Sequence, residues 1–275
     1  MTDHEVTRTS DGLVVKRYRP NAGDLPEREW RALRLLHEYA PGLAPEPVAV
    51  DLDAVRPSIT MSLLPGDALG GKPLTSAEMR AITEALERMH TCVPQDVLAA
   101  VPVGSAPPHE ALGNITSRLA EQPRPSDDAV VARAYDDSLR WLAGPEANQL
   151  LSDEPGRAVL GSGDHNLSNF LWDGDGVRLV DFEYAGRSDR CAEVAELIEH
   201  ISARCTPDGA WQRLLDELDL SRAERRRLLT IRRLLAMMWL HMLMPGQPGE
   251  HRNPPGTLRM QAERTLGLLG SDGLP

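Results

Sequence analysis

From Gly163 to Glu183 the chain alternates two polar clusters with two short apolar runs, and few architectures accommodate that order. The first cluster is Gly163-Asp164-His165-Asn166-Leu167-Ser168-Asn169, and the second is Asp181-Phe182-Glu183. Between them, Phe170 to Trp172 and Val177 to Phe182 read as strands. Asp173-Gly174-Asp175-Gly176 joins the two as a hairpin turn. Asp164 and Asn169 therefore occupy a polar loop that opens onto a hairpin, and the second strand of that hairpin ends at Asp181.

Those residue types suit phosphoryl transfer. Triphosphate oxygens carry dense negative charge, which magnesium bridges, and magnesium takes hard oxygen ligands. The Asn169 amide and the Asp181 carboxylate supply such oxygens. A second carboxylate is needed at the acceptor hydroxyl, to orient it and take its proton. Asp164 has that place. Little covalent chemistry is asked of the protein, so positioning and charge neutralisation carry most of the rate.

The flanking sequence reads as an α+β chain in two unequal parts. Glu5 to Thr9 and Gly12 to Tyr18 flank the turn signal Ser10-Asp11-Gly12. A helix begins near Pro26 and stops at Pro41-Gly42. Pro47 to Leu52 and Ser58 to Leu64 form a second strand pair. From about residue 70 the pattern turns helical: Thr75 to His90 with Ser76 as cap, a loop over 93–108, then His109 to Glu121 and Asp127 to Leu142. Ala158 to Leu160 reads as a strand. After Cys191 everything is helical, at about 191–203, 208–218, 221–243 and 256–269. Residues 1–66 are expected to form a small sheet-and-helix lobe and 67–275 a larger, mainly helical one.

The spacing G-D-x-x-x-x-N, a short hairpin, then D-F-E resembles the aminoglycoside phosphotransferase and choline kinase superfamily. The string Val180-Asp181-Phe182-Glu183-Tyr184-Ala185-Gly186-Arg187-Ser188-Asp189 looks like that family's segment after the catalytic loop. Glu193-Val194-Ala195 falls where the family usually has Asp-Leu-Ala, and Met89-His90 where it often has Leu-His. The likeness runs from about Val14 to Glu199. It implies a bilobal, protein-kinase-like fold with ATP or GTP as phosphoryl donor and Mg2+ as cofactor. It also implies that Lys16, within V-V-K-R-Y, contacts the α/β-phosphates, and that Glu29, within E-x-x-A-L-x-x-L, anchors it by an ion pair. Met61, Ser62 and Leu63, ahead of Leu64-Pro65-Gly66, look like the hinge that holds the base. Two departures stand out. Ser162 replaces the family's usual His two residues before the catalytic Asp. Only fifteen residues precede Lys16, room for one strand where the family has two and a phosphate-covering turn.

Composition narrows the partners. A net charge of −11 repels nucleic-acid phosphates and anionic membranes. The apolar stretch Leu228 to Met244 is interrupted by Arg232 and Arg233, so it reads as a buried helix. Three cysteines with no CxxC pair indicate neither zinc nor a disulfide framework and fit a reducing cytoplasm. The N-terminus lacks the apolar core of a signal peptide. The expected partner is a small hydroxylated acceptor. Glu183, Glu196 and Glu199 are candidate acceptor contacts, which would favour an aminoglycoside-like or other amine-bearing molecule; Glu183 reads equally as a second metal contact or as a plain loop carboxylate. Asp189 is expected to cap the helix after it, and His90 and His165 to be structural. The competing reading is a kinase-like binding protein with little catalytic power, motivated by the short N-terminal lobe and Ser162.

Overall fold

The computed structural model describes residues 4–105, 107–125, 127–152 and 156–270. Strands β1 (Glu5–Arg8) and β2 (Leu13–Arg17) pair in register Val6↔Lys16 across the Ser10-Asp11-Gly12 turn. Helix α1 (Leu25–Tyr39) follows, with Pro26 in its first turn, where the missing N–H costs nothing. Strands β3 (Pro47–Asp51) and β4 (Ser58–Ser62) complete an antiparallel sheet in the order β1-β2-β4-β3. Lys16 sits opposite Ile59 in the middle of that sheet. Among the described residues, one strand, β1, lies outside the lysine strand.

The chain then crosses into a larger helical lobe. Gly66 makes the crossing at φ +115, with a Cβ there 2.9 Å from the Trp172 carbonyl. Any other residue would be both strained and obstructed. Immediately after it, β5 (Asp67–Ala68) pairs with β7 (Phe170–Trp172), which pairs in turn with β8 (Val177–Leu179). A backbone bond from Leu179 N to Leu43 O, 2.9 Å, fastens this hairpin to the loop after α1.

Helix α2 (Ser76–Cys92) buries Ile82, Leu86 and Met89. Its cap is Thr75 rather than Ser76. The Thr75 hydroxyl accepts from the Glu78 N–H, and the Glu78 carboxylate accepts from the Thr75 N–H, a reciprocal box one residue earlier than expected. The expected loop at 93–108 contains a short helix, α3 (Gln95–Ala99), started by Pro94. Helices α4 (Pro108–Glu121), α5 (Ala129–Leu142) and α6 (Pro145–Ser152) follow. Strand β6 (Ala158–Gly161) pairs antiparallel with β9 (Gly186–Asp189). Then come α7 (Arg190–Glu199), α8 (Asp208–Glu217), α9 (Arg222–Met242) and α10 (Thr257–Gly270). Among the described residues, no helix is long and apolar enough to cross a membrane.

Candidate active site

Four segments meet where the sheet faces the helical lobe. Lys16 comes from β2, Glu29 from α1, the Asp164–Asn169 loop from the end of β6, and Asp181 from the end of β8.

Lys16 is buried, and its Nζ lies 2.6 Å from Glu29 Oε2, 2.5 Å from Asp181 Oδ1 and 3.0 Å from Glu183 Oε2. Burial alone would pull its pKa down. Glu29, Asp181 and Glu183 outweigh that, and the ammonium is held above its ordinary value. Glu29 is 1% exposed and works as a three-way clamp. Besides Lys16 it accepts from the Tyr18 hydroxyl and, at 3.4 Å, from the Phe182 N–H. Burial, and then Glu29, push the Tyr18 phenol up. Glu183, read from sequence as an acceptor contact or a second metal contact, faces Lys16 and the imidazole of His4, whose Nε2 is 2.7 Å away. His4 also stacks on Tyr18, ring centres 4.5 Å apart.

Asp181 has φ +69, a left-handed conformation uncommon for a residue with a Cβ. That conformation cannot continue a strand, so β8 stops at Leu179 rather than running to Phe182. The Val180 N–H bonds the Asn169 carbonyl at 3.0 Å. This bond extends the β7–β8 ladder by one step and sets Asn169, at the start of the hairpin, beside the residue that precedes Asp181 at its finish.

The Asp164 loop is turned by Gly163, at φ +73, where a Cβ would stand 2.5 Å from the Tyr184 carbonyl oxygen. Asp164 Oδ1 accepts from the Asn166 N–H at 2.9 Å, and the Asn169 amide donates to the Asp164 carbonyl at 3.4 Å. His200 Nε2 lies 3.8 Å from Asp164 Oδ1. Burial, then the neighbouring Glu196, raise the Asp164 pKa above the usual carboxylate value, with the Asn166 N–H and His200 opposing.

Beneath the loop lies a network that spacing alone does not reveal. His165 is fully buried, with Nδ1 2.6 Å from Glu196 Oε2 and Nε2 3.4 Å from Glu193 Oε2. Burial disfavours its charge, but Glu193 and Glu196 prevail and raise it to about 9. Glu193 also accepts from the Ser162 N–H at 3.0 Å and from Ser188 at 2.6 Å. The loop is thus held from below by His165 and Glu193, with Ser162 contributing its backbone.

The remaining sequence candidates are placed as follows. Met61 is buried on β4 opposite Val14, and Ser62 lies opposite Leu13. The Ser62 N–H bonds Glu46 O at 2.9 Å, and the Leu63 N–H bonds Gly12 O at 3.3 Å, so both amides are engaged within the chain. Glu199 does not join the site. It is 0% exposed, with Arg232 at 2.7 Å and Arg264 at 2.5 Å on its carboxylate. Asp189 caps α7 through the Cys191 N–H at 2.8 Å and also holds Arg227 at 2.5 Å. His90 is buried and pushed down by burial to about 3. Among the described residues, two groups bring three ligand atoms within 4.8 Å of one another: Glu29, Asp181 and Glu183, and Asp164, Glu196 and His200. Tyr18 closes the V-V-K-R-Y string without a role of its own, and His4 and His200 belong to no motif. Only their burial beside the site marks them.

A small antiparallel sheet bearing a lysine–glutamate pair, set over a helical lobe bearing an Asp/Asn loop and a second Asp, defines a bilobal kinase-like protein. The sequence matches the phosphotransferase enzyme family over residues 4–229, and the chain belongs to that family. No curated protein sequence matches it. Solved structures resemble it across nearly its whole length. A choline/ethanolamine kinase family protein from Mesorhizobium loti aligns with TM-score 0.66 and 16% identity, covering 99% of this chain and 87% of its own. A spectinomycin phosphotransferase solved with ADP and spectinomycin gives 0.61 and 13%, covering 98% and 87%. A choline kinase from Streptococcus pneumoniae gives 0.59 and 15%, covering 98% and 90%. At such identities the likeness is one of fold.

Proposed function

We propose that this chain transfers the γ-phosphoryl group of ATP or GTP to a hydroxyl of a small molecule. The observation that carries the reading is the 2.5 Å contact between Lys16 Nζ and Asp181 Oδ1, two residues 165 apart in sequence. It joins the lobe that would hold the nucleotide, residues 1–66, to the lobe that would hold the acceptor, residues 67–275.

In this reading Asp164 is the base. Its carboxylate orients the acceptor hydroxyl and takes the proton as the oxygen attacks phosphorus. Lys16 contacts the α/β-phosphates and Glu29 fixes its position. Glu29 is sealed in, whereas the Asp181 side chain is 38% exposed. Asp181 is therefore the partner that gives way when phosphate oxygens reach Lys16. Asn169 and Asp181 would hold Mg2+, and their donor chemistry fits, being an amide and a carboxylate oxygen brought together by the Val180–Asn169 bond. When bound, the ion neutralises the triphosphate oxygens. Met61, Ser62 and Leu63 would border the base, which would have to displace Gly12 O from the Leu63 amide. The amine-bearing acceptor loses two of its three candidate carboxylates, since Glu183 faces Lys16 and Glu199 is enclosed by arginines.

Thermal unfolding with Mg2+ and nucleotide tests the reading. Ligand at a hundred times its Kd adds about 2.7 kcal/mol of stability by mass action. The shift is expected with Mg2+ and ATP or GTP, and a much smaller one in Asp181→Asn. No shift in the wild-type protein would favour the non-catalytic binding reading.

A further inference from the structure

A cavity of about 510 Å³ adjoins the catalytic loop at Gly163 and helix α7 at Glu196, a size that accommodates a small-molecule ligand. Helix α9 forms one wall. Ile231, Leu234, Leu235, Met238, Trp239 and Met242 recur along it as a single apolar stripe. Ile231 and Leu234 are buried, but Leu235, Met238, Trp239 and Met242 are only half-buried. Leu235 and Met238 pack against the core on one side, and the surface that all four leave uncovered lines the cavity. Val103, Pro107, Pro108 and Ala111 supply apolar surface on the facing segment, and Val103 is 43% exposed.

The carboxylates of the lining are already engaged. Asp189 holds Arg227 at 2.5 Å, Glu193 takes the Ser188 hydroxyl at 2.6 Å, and Glu196 takes His165 at 2.6 Å. Arg187 Nε donates to the Val101 carbonyl at 3.4 Å. A polycation entering here would compete with these contacts and lay its water-seeking groups against methionine and tryptophan. An apolar body would cover the exposed stripe at no such cost.

We infer that the acceptor is an amphiphilic alcohol, a hydroxyl carried on a bulky apolar body seated against Leu235, Met238 and Trp239, and not a polycationic aminosugar. The inference rests on the phosphotransferase reading above. Its test is calorimetric binding to the full-length Asp164→Asn protein saturated with Mg2+ and ATP. Two apolar-bodied alcohols, a macrolide lactone and a hydroxysteroid, are compared with an aminoglycoside. At least one apolar probe is expected to bind and the aminoglycoside to stay silent. Met238→Glu in the same background is expected to weaken the apolar probe by at least about tenfold, and Met238→Leu to keep most of the affinity. Binding by the aminoglycoside alone, by none of the probes, or equally to Met238→Glu and Met238→Leu overturns the inference. Nucleotide binding, measured first, separates the failures. If Mg2+ and ATP do not bind, the phosphotransferase reading falls and takes this one with it. If they bind and the apolar probes do not, only the acceptor class is wrong.

Discussion

Each key side chain at this site is defined by what its neighbours do to its charge. Asp164 must be ionised to accept a proton, and burial and Glu196 raise its pKa. Turnover should therefore fall, on acidification, at a higher pH than for an ordinary carboxylate. Glu196→Gln removes the like charge and should move that acid limb downward. An unmoved limb in the pH–rate profile would exclude the coupling. His165 behaves oppositely. Its folded pKa, raised from 6.5 to about 9, gives stability that is complete below the unfolded value and lost as pH rises through the folded one. Unfolding midpoints should drop between about pH 6.5 and 9, and His165→Gln should flatten that slope. Lys16 is the harder residue to test. Lys16→Met leaves Glu29 buried without its cation, which costs roughly 3–5 kcal/mol in comparable pairs, so a raised nucleotide KM must be read together with an unfolding curve. The sequence named Asp164, Asn169 and Asp181 because phosphoryl transfer asks for those residue types, and Lys16 and Glu29 through the family resemblance. It gave no role to Tyr18 or His200 and could not join His165, Glu193 and Glu196 into one network, because they meet only through the packing of α7 under the loop.

Among the elements, the hairpin β7–β8 does most to assemble the site. It returns the chain so that Asn169 and Asp181 adjoin through the Val180 bond, and its turn, apolar runs and polar ends were all readable. What was not readable lay in short elements. β5 and β9 have two and four residues and pair with distant partners, so neither has local periodicity of its own. α3 occupies a stretch rich in Pro and Ala, where the starting Pro94 resembles a loop residue. The cap of α2 moved from Ser76 to Thr75 because Glu78 can reciprocate only with a residue three before it. Thr75→Ala should cost about 1 kcal/mol in an unfolding measurement, and Ser76→Ala close to nothing. Equal effects would contradict the observed box. Gly163→Ala, by contrast, forces a Cβ into the Tyr184 carbonyl at positive φ and should remove activity while leaving α2 intact.

For the whole molecule, the account rests on two lobes joined through buried charge. The sheet contributes a cation, the helical lobe contributes carboxylates, and the contact between them is the place a magnesium triphosphate would enter. That one strand lies outside the lysine strand did not prevent the Lys16–Glu29 clamp from forming, because α1, β2 and Phe182 hold it without help from the strand edge. The decisive assay is acceptor-dependent phosphate transfer from ATP or GTP with Mg2+, wild type against Asp164→Asn. The account predicts transfer in the wild type, a loss of about 10²–10⁴-fold in the variant, and nucleotide affinity that is largely kept. Transfer by Asp164→Asn at near the wild-type rate would contradict it.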